Sequence, residues 1–562
     1  MKKLVLLAAA AVFSFVSSVA GAESSDSAAR GPAQLRALEP FARFARDSAA
    51  PEAVRPSSRP LSAWRGETAN FRFGVWSGGK ERKIRCAGKI ALSDGKGGKI
   101  EAEVSPVRWA VGRGGELFAD IVDPAGTPVS VPAGTLSEFL VSVEIPRDAA
   151  PGLYAGSFSV FADGKKTAPL RLRVLPATLP PPERRKIHLD LWQHPQAVAR
   201  WTGTPLWSEA HFKALVPPMT RLRDLGQKAV TCSIIEEPWS HQTFDDWESM
   251  VKWTKAKDGS WKFDYSAFDA WVGFMMNDIG IAEQISCYSM LPWSMKIGYF
   301  DEATGTRKTL AMDIASPDFD AVWGAFLTDF RKHLKAKGWL EKTCIAMDER
   351  PDAQLDAARR VLARCAPELK IVSANNHPTK MSAHVYDVSP IFTHSGGDVP
   401  ALAEKRRAEG KKTTFYVCVH PARPNTFLHS APAEAHWLGL YAAANRFDGF
   451  LRWAYNSWNA NPFETTAFGN WPAGDCFLIY PENLSSMRLE RLRDGLEDFE
   501  KIRILREAAA RADAAPALKD AVARLDAYLA ETFTVENGGG NAHEAQTLRA
   551  TELLDAASRE LR

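Results

Sequence analysis

The stretch Thr343-Cys344-Ile345-Ala346-Met347-Asp348-Glu349-Arg350-Pro351 runs an apolar segment into two adjacent acids and a proline, and a helical pattern begins at Asp352. The order is strand, acid pair, turn, helix. If the strand belongs to a β/α barrel, its C-terminal end opens onto the face where such folds build active sites. Two carboxyl groups there suggest acid/base chemistry on a glycosidic bond. Adjacency alone decides nothing, because Asp301-Glu302, Glu236-Glu237 and Glu497-Asp498 are also neighbouring acids. The weight rests on position at a strand end.

Outward from this stretch, from Glu183 onward, short apolar runs alternate with amphipathic ones. The strand candidates are 187–192, 229–234, 283–290, 344–349, 371–376, 388–394, 414–419 and 449–455. Eight of them make a closed parallel (β/α)8 TIM-type barrel the expected fold for residues 183–505. Helical patterns lie between them at 208–225, 266–279, 319–336, 352–365 and 433–445. After Pro481, Leu489, Leu492, Leu496 and Phe499 recur at steps of three and four, an apolar stripe suited to packing on the barrel. Residues 506–562 read as a helical C-terminal extension, broken at Gly538-Gly539-Gly540.

Upstream the hydrophobic period is two. Phe71, Phe73 and Val75 alternate with Arg72 and Gly74, and Phe139, Val141, Val143 and Ile145 with Ser142 and Glu144. With turn signals at Asp94-Gly95, Pro151-Gly152 and Asp163-Gly164, residues 61–178 read as an antiparallel β-sandwich. The Gly-rich 95–99 segment lacks phosphate-loop spacing and reads as a hairpin turn. Residues 23–60, rich in Ala, Ser, Pro and Arg, read as a linker. Residues 1–22, with Lys2-Lys3, an apolar stretch and Ala20-Gly21-Ala22, read as a signal peptide. Export to a periplasm, a cell surface or the medium is expected.

Without the two leader lysines the 70 basic residues fall to 68 against 67 acidic ones. A nearly neutral chain has no field to attract nucleic acid or acidic lipid, and no later stretch approaches the roughly 18 apolar residues of a membrane span. The seven cysteines show no CxxC spacing, and Cys232, Cys287, Cys344 and Cys418 lie in apolar runs as expected of buried thiols. His543-Glu544 lacks the second histidine of a zinc motif, and neither a serine elbow nor a dinucleotide glycine motif occurs. Neither a metal nor a cofactor is expected, and oligomeric state is not legible.

Fifteen of the eighteen tryptophans fall between residues 192 and 471, the barrel region. Aromatic faces stack on pyranose rings, and indole adds a donor. Polar and aromatic groups at strand ends give a candidate carbohydrate-binding set of Asp190, Trp192, His194, Glu237, Tyr288, Asn375, His394, Trp453, Tyr455, Asn456 and Trp458, with Asn376, His377 and His420 beside them. Asp348 and Glu349 are the catalytic candidates. Glu236-Glu237 is a rival carboxylate pair, or else a solvated loop.

Two longer runs carry a family resemblance. Gly474-Asp475-Cys476-Phe477-Leu478-Ile479-Tyr480-Pro481, followed by residues 486–500, resembles the C-terminal signature of glycoside hydrolase family 123 and the related domain of unknown function 4091. Residues 143–156 resemble the family's N-terminal domain. The likeness spans about residues 60 to 505 and brings Asp475 into the candidate substrate-binding set. It implies a retaining β-N-acetylgalactosaminidase whose nucleophile is the substrate's own 2-acetamido carbonyl. The family's Asp-Glu pair maps onto Asp348 and Glu349. An ionised Asp348 would orient the acetamido group, and a protonated Glu349, its pKa raised by the neighbouring acid, would serve the leaving oxygen. The family pattern has proline directly after the acids, whereas here Arg350 intervenes. The expected ligand is a glycan ending in N-acetylhexosamine. A glycosidase acting on other sugars, with Glu236 or Glu237 as second carboxylate, and a non-catalytic carbohydrate-binding protein are the alternatives.

Overall fold

The computed structural model describes residues 31–51, 60–124, 126–376 and 380–561. Residues 1–30, which include the leader, 52–59, Ala125, 377–379, which include His377, and 562 lie outside the described residues. The chain is a mixed α/β, multidomain protein that opens with a sheet-rich region.

In that region the strands Gln34–Leu38, Thr68–Trp76, Leu136–Glu144, Lys99–Val111, Lys89–Ser93, Gly152–Ala162, Gly164–Thr178 and Leu61–Arg65 pair in that order. All the pairings are antiparallel except the last. Period-two patterning buries Phe73, Val75, Val104, Phe139, Val141, Phe158 and Val160 on one face. Gly164, at φ +104°, closes the hairpin between the two longest neighbours. The turn at 94–98 is a hairpin as expected, with Asp94 accepting from the Lys96 and Gly98 N–H groups.

The linker reading of 23–60 fails at Gln34–Leu38, which is a strand paired in full register with residues 72–76. Its alternation is short, and Leu38 finds its core partners, Trp76 and Leu136, only in three dimensions. The polar face of Thr68–Trp76 is buried as well, since Arg72 pairs with Glu138 at 2.6 Å and donates to the carbonyls of Glu39, Pro40 and Ala42.

Beyond residue 183 the strands Ala229–Ser233, Gln284–Tyr288, Thr343–Asp348, Lys370–Asn375, Asp387–Pro390 and Lys412–Thr413 pair in parallel, one after another. His188–Leu191 pairs in parallel with Gly449–Arg452. Parallel bridges join Leu189 to Gln227, Ile391 to Tyr416 and Tyr416 to Leu451. Helices Glu209–Leu225, Pro317–Lys337, Asp352–Cys365 and Pro432–Ala444 connect the strands. Ser208 and Ser316 cap two of these helices by accepting from backbone N–H groups, and Gly226 and Gly338 end them in left-handed conformation. An unanticipated four-stranded sheet, Trp261–Asp264, Lys252–Lys255, Lys296–Asp301 and Thr306–Ala311, is inserted among them.

The helix Met487–Ala509 carries the expected apolar stripe, and its polar side is buried too. It crosses the helix Pro432–Ala444 so closely that a Cβ on Gly439 would lie 2.3 Å from the Gly495 carbonyl. Toward the N-terminal sheet, Arg488 pairs with Asp120 at 3.0 Å, Lys501 with Glu67 at 2.9 Å, and Glu497 accepts from the Thr68 N–H and from Arg185. Ser485–Ser486 pairs with Ile121 and Val122 of the sheet. All seven cysteines are free. No described helix is long and apolar enough to cross a membrane.

Candidate active site

The strand Thr343–Asp348 lies between Gln284–Tyr288 and Lys370–Asn375, and Asp348 is its last residue. Glu349 follows in left-handed conformation, φ +50°, its N–H held by the Ala374 carbonyl at 2.8 Å. A non-glycine residue adopts that conformation at a cost, and here it turns the chain from strand to Pro351. The helix Asp352–Cys365 begins directly afterwards.

The Tyr416 hydroxyl donates to Glu349 Oε1 at 2.6 Å and stands 3.4 Å from Asn376 Oδ1. The negative charges of both acids bear on this phenol, so the three groups share one space. Arg350 does not pair with Asp348 side chain to side chain. Its Nε–H donates to the Asp348 carbonyl at 3.0 Å, and its guanidinium lies over Trp293.

Burial, reinforced by the neighbouring Glu349 charge, pushes the Asp348 carboxyl up to about 8, against the opposing pull of Arg350 and of the Trp239 and Trp293 indoles. The sequence argument expected Asp348 ionised and the raised pKa on Glu349. The structure puts the raised value on Asp348, where burial is the larger cause, and gives Glu349 the Tyr416 hydroxyl as a hydrogen-bond donor.

Around the pair, Trp192, Trp239, Trp247, Tyr288 and Tyr416 form a buried cluster distinct from the main core. Trp192 contacts Trp239 and Tyr288 with ring centroids 4.9 and 4.7 Å apart, and Trp239 contacts Tyr288 at 4.9 Å. The Trp192 indole turns toward Asp190 and the Trp293 indole toward Asp348, and the Tyr288 hydroxyl is a buried polar atom without a hydrogen-bond partner. Buried polar groups are otherwise satisfied in folded proteins, so this grouping suits a polar ligand. Burial raises the Asp190 carboxyl to about 7.

The sequence model of the glycoside hydrolase 123 catalytic domain matches residues 192–505, more than half the chain. The chain belongs to glycoside hydrolase family 123. It is therefore a glycosidase. Its structure is similar, at TM-score 0.85 and 25% identity over 94% of this chain and 98% of the other, to a family 123 glycoside hydrolase from Clostridium perfringens studied for glycolipid glycan hydrolysis. A family 39 glycoside hydrolase from the gut symbiont Bacteroides cellulosilyticus WH2 matches at TM-score 0.34 and 9% identity over 78% and 81%, too weakly to bear on the fold. No curated protein matches.

In this family 123 chain several sequence-derived candidates are structural. His194 is fully buried, stacked on Trp247 at 4.1 Å with Nδ1 3.0 Å from Ser457 Oγ, and burial lowers its pKa to about 3. Asn456 clasps the His194 backbone through both amide atoms, Tyr455 donates to the Pro218 carbonyl, and Trp458 donates to the Ile479 carbonyl. Asp475 pairs with Arg452 in the interior. These residues leave the last strand into a packed turn rather than into a cleft, which the amide-rich sequence did not reveal.

His394 is exposed on a short 3-10 turn. Glu237 braces its own loop, accepting from the Trp247 and His241 N–H groups, and exposed Glu236 pairs with Arg307. Glu237, His241 and Asp246 cluster as metal ligands can, but both Glu237 oxygens are already used by these loop N–H groups.

Asp190, Trp192, Tyr288 and Asn375 gather with Asp348 at or beside the same strand ends. Half-buried Trp453 sits at the edge of the aromatic cluster, 3.4 Å from Asp475 Oδ1 and 6.0 Å ring to ring from Trp471. Sequence reasoning missed Tyr416, Trp239 and Trp293 as site residues. Tyr416 lay inside an apolar run, and its period-two position in a strand ending beside the acid pair was the available signal.

Proposed function

We propose that this family 123 enzyme is an exported, retaining exo-glycosidase that removes terminal N-acetylhexosamine, most simply β-linked N-acetylgalactosamine, by substrate assistance. The observation that carries the reading is the juxtaposition of Asp348 and Glu349 at one strand end under a buried cluster of aromatic and polar groups. Asp348 accepts the acetamido N–H and turns its carbonyl oxygen toward C1. Glu349 protonates the leaving oxygen and later deprotonates the water that opens the oxazolinium. The supporting architecture is a β-sandwich followed by a (β/α)8 barrel, a reading supported by the parallel pairings and bridges that link eight segments from residue 187 to 455. Export rests on the leader-like residues 1–22.

A panel of chromogenic glycosides tests this proposal. Turnover confined to acetamido sugars and strong inhibition by a cyclic thiazoline mimic are expected, because sites bind transition-state-like species more tightly than substrate. Trapping of a glycosyl-enzyme ester by a fluorinated sugar, with indifference to the thiazoline, moves the assignment to a glycosidase on other sugars. Binding without any turnover makes the protein a carbohydrate-binding one.

A further inference from the structure

Tyr416 is held by its backbone at the meeting of three parallel segments. It bridges Ile391 on one side and Leu451 on the other, its N–H donates to the Pro390 carbonyl at 3.1 Å, and its own carbonyl accepts from the Phe392 N–H at 2.8 Å. The phenol therefore reaches the acid pair from a rigid base. It has one proton to give and two acceptors nearby, Glu349 Oε1 at 2.6 Å and Asn376 Oδ1 at 3.4 Å. The shorter contact lies in the range of a hydroxyl donating to a carboxylate.

On the other side, Asp348 is enclosed by indoles, and Arg350 spends its Nε–H on the backbone carbonyl and not on the carboxyl group. We propose that Tyr416 is a positioning residue that holds Glu349 as the ionised member of the pair, with the single shared proton on Asp348, until an acetamido N–H reaches Asp348 and drives that proton across to Glu349. This rests on the substrate-assisted reading above.

No proton enters or leaves in this exchange. The Asp348 O–H bond breaks and a Glu349 O–H bond forms, while the carboxylate left on Asp348 accepts the substrate N–H. Glu349 then gives the same proton to the glycosidic oxygen as the C1–O bond breaks and the acetamido oxygen closes on C1. A sugar without an acetamido group offers Asp348 no donor, so its proton stays and Glu349 is never armed. Discrimination then arises from protonation as well as from shape.

The other groups facing the pair are Tyr288, Asp190, Cys418, Arg350 and the Trp239 and Trp293 indoles. Burial keeps the Tyr288 phenol and the Cys418 thiol neutral, the latter pushed up to about 12. Asp190 is the one other carboxyl among them, and Asp190→Asn separates its titration from that of the pair.

The test is the pH profile of kcat/KM for Tyr416→Phe on an acetamido aryl glycoside. Losing the donor destabilises both species with Glu349 ionised and spares the doubly protonated one, so the acid limb should move to higher pH, by about one unit, while the alkaline limb, where Asp348 loses the shared proton, stays in place. In a Glu349→Gln background, assayed with a leaving group that needs no proton, adding Tyr416→Phe should leave the remaining limb in place. Fluorotyrosine at position 416, a stronger donor that keeps the ring, should move the acid limb to lower pH. An unmoved acid limb with a raised KM, or a shift of the remaining limb in the Glu349→Gln background, overturns the proposal. These readouts follow the Tyr416–Glu349 coupling and not the identity of the sugar, so a failed acetamido preference is recognised separately by the glycoside panel.

Discussion

Arg452 Nη2 lies 2.7 Å from Asp475 Oδ1, with both side chains fully buried, and Arg452 also donates to the Asp475 carbonyl at 2.8 Å. Removing one partner of such a pair leaves an uncompensated charge in the interior. Asp475→Ala should therefore cost about 3–5 kcal/mol of stability, measured by denaturant unfolding, with KM of the folded fraction unchanged. A raised KM in a protein of normal stability returns Asp475 to the substrate-binding set.

Glu349→Gln should lower turnover by about 10²–10⁴ on substrates with poor leaving groups, and much less where the leaving group needs no proton. Equal losses on aryl glycosides spanning a range of phenol acidity count against Glu349 as the acid.

Two tryptophans of one segment should behave oppositely. Trp458 is 3% exposed and hydrogen-bonded to the Ile479 carbonyl at 2.7 Å, so Trp458→Ala should cost about 3–5 kcal/mol. Half-buried Trp453 should, on truncation to alanine, raise KM several-fold with a smaller loss in thermal unfolding. Comparing KM and Tm for the pair decides it; the reverse pattern exchanges the two roles.

The Asp348 carboxyl carries a folded-state pKa of about 8, above the usual carboxylate value. Between about pH 4 and pH 8 the folded chain therefore holds a proton at this site that the unfolded chain does not, and stability falls as pH rises through that window. Asp348→Asn removes this penalty. The variant should gain on the wild type as pH climbs, by about 2 kcal/mol or more near pH 8, and match it near pH 4. A gap constant with pH across thermal melts is the contrary result.

The strand–acid–turn–helix order around Asp348 was legible because a buried strand, a proline break and a helix periodicity are each local. Five helical patterns matched helices within a few residues for the same reason. The inserted four-stranded sheet escaped notice, since its strands of four to six residues are too short for the period to register. The fate of Tyr455, Asn456 and Trp458 was also hidden. Amide and ring groups suit a sugar or a packed turn equally, and only the partners Pro218, His194 and Ile479, distant in sequence or brought close by a turn, distinguish the two. Likewise the proton on Asp348 depends on how deeply each neighbour is enclosed, which no spacing encodes.

The charged side chains of the helix Met487–Ala509 reach the N-terminal sheet through Asp120, Glu67 and Thr68. Cutting the chain to the hydrolase segment alone would strand Arg488, Glu497 and Lys501 against water or one another. The sheet is thus no detachable appendage, because its removal leaves these charges without their partners. The stretch 474–500 supplies Arg488, Ser485–Ser486 and Glu497 to that seam, where they join the two regions.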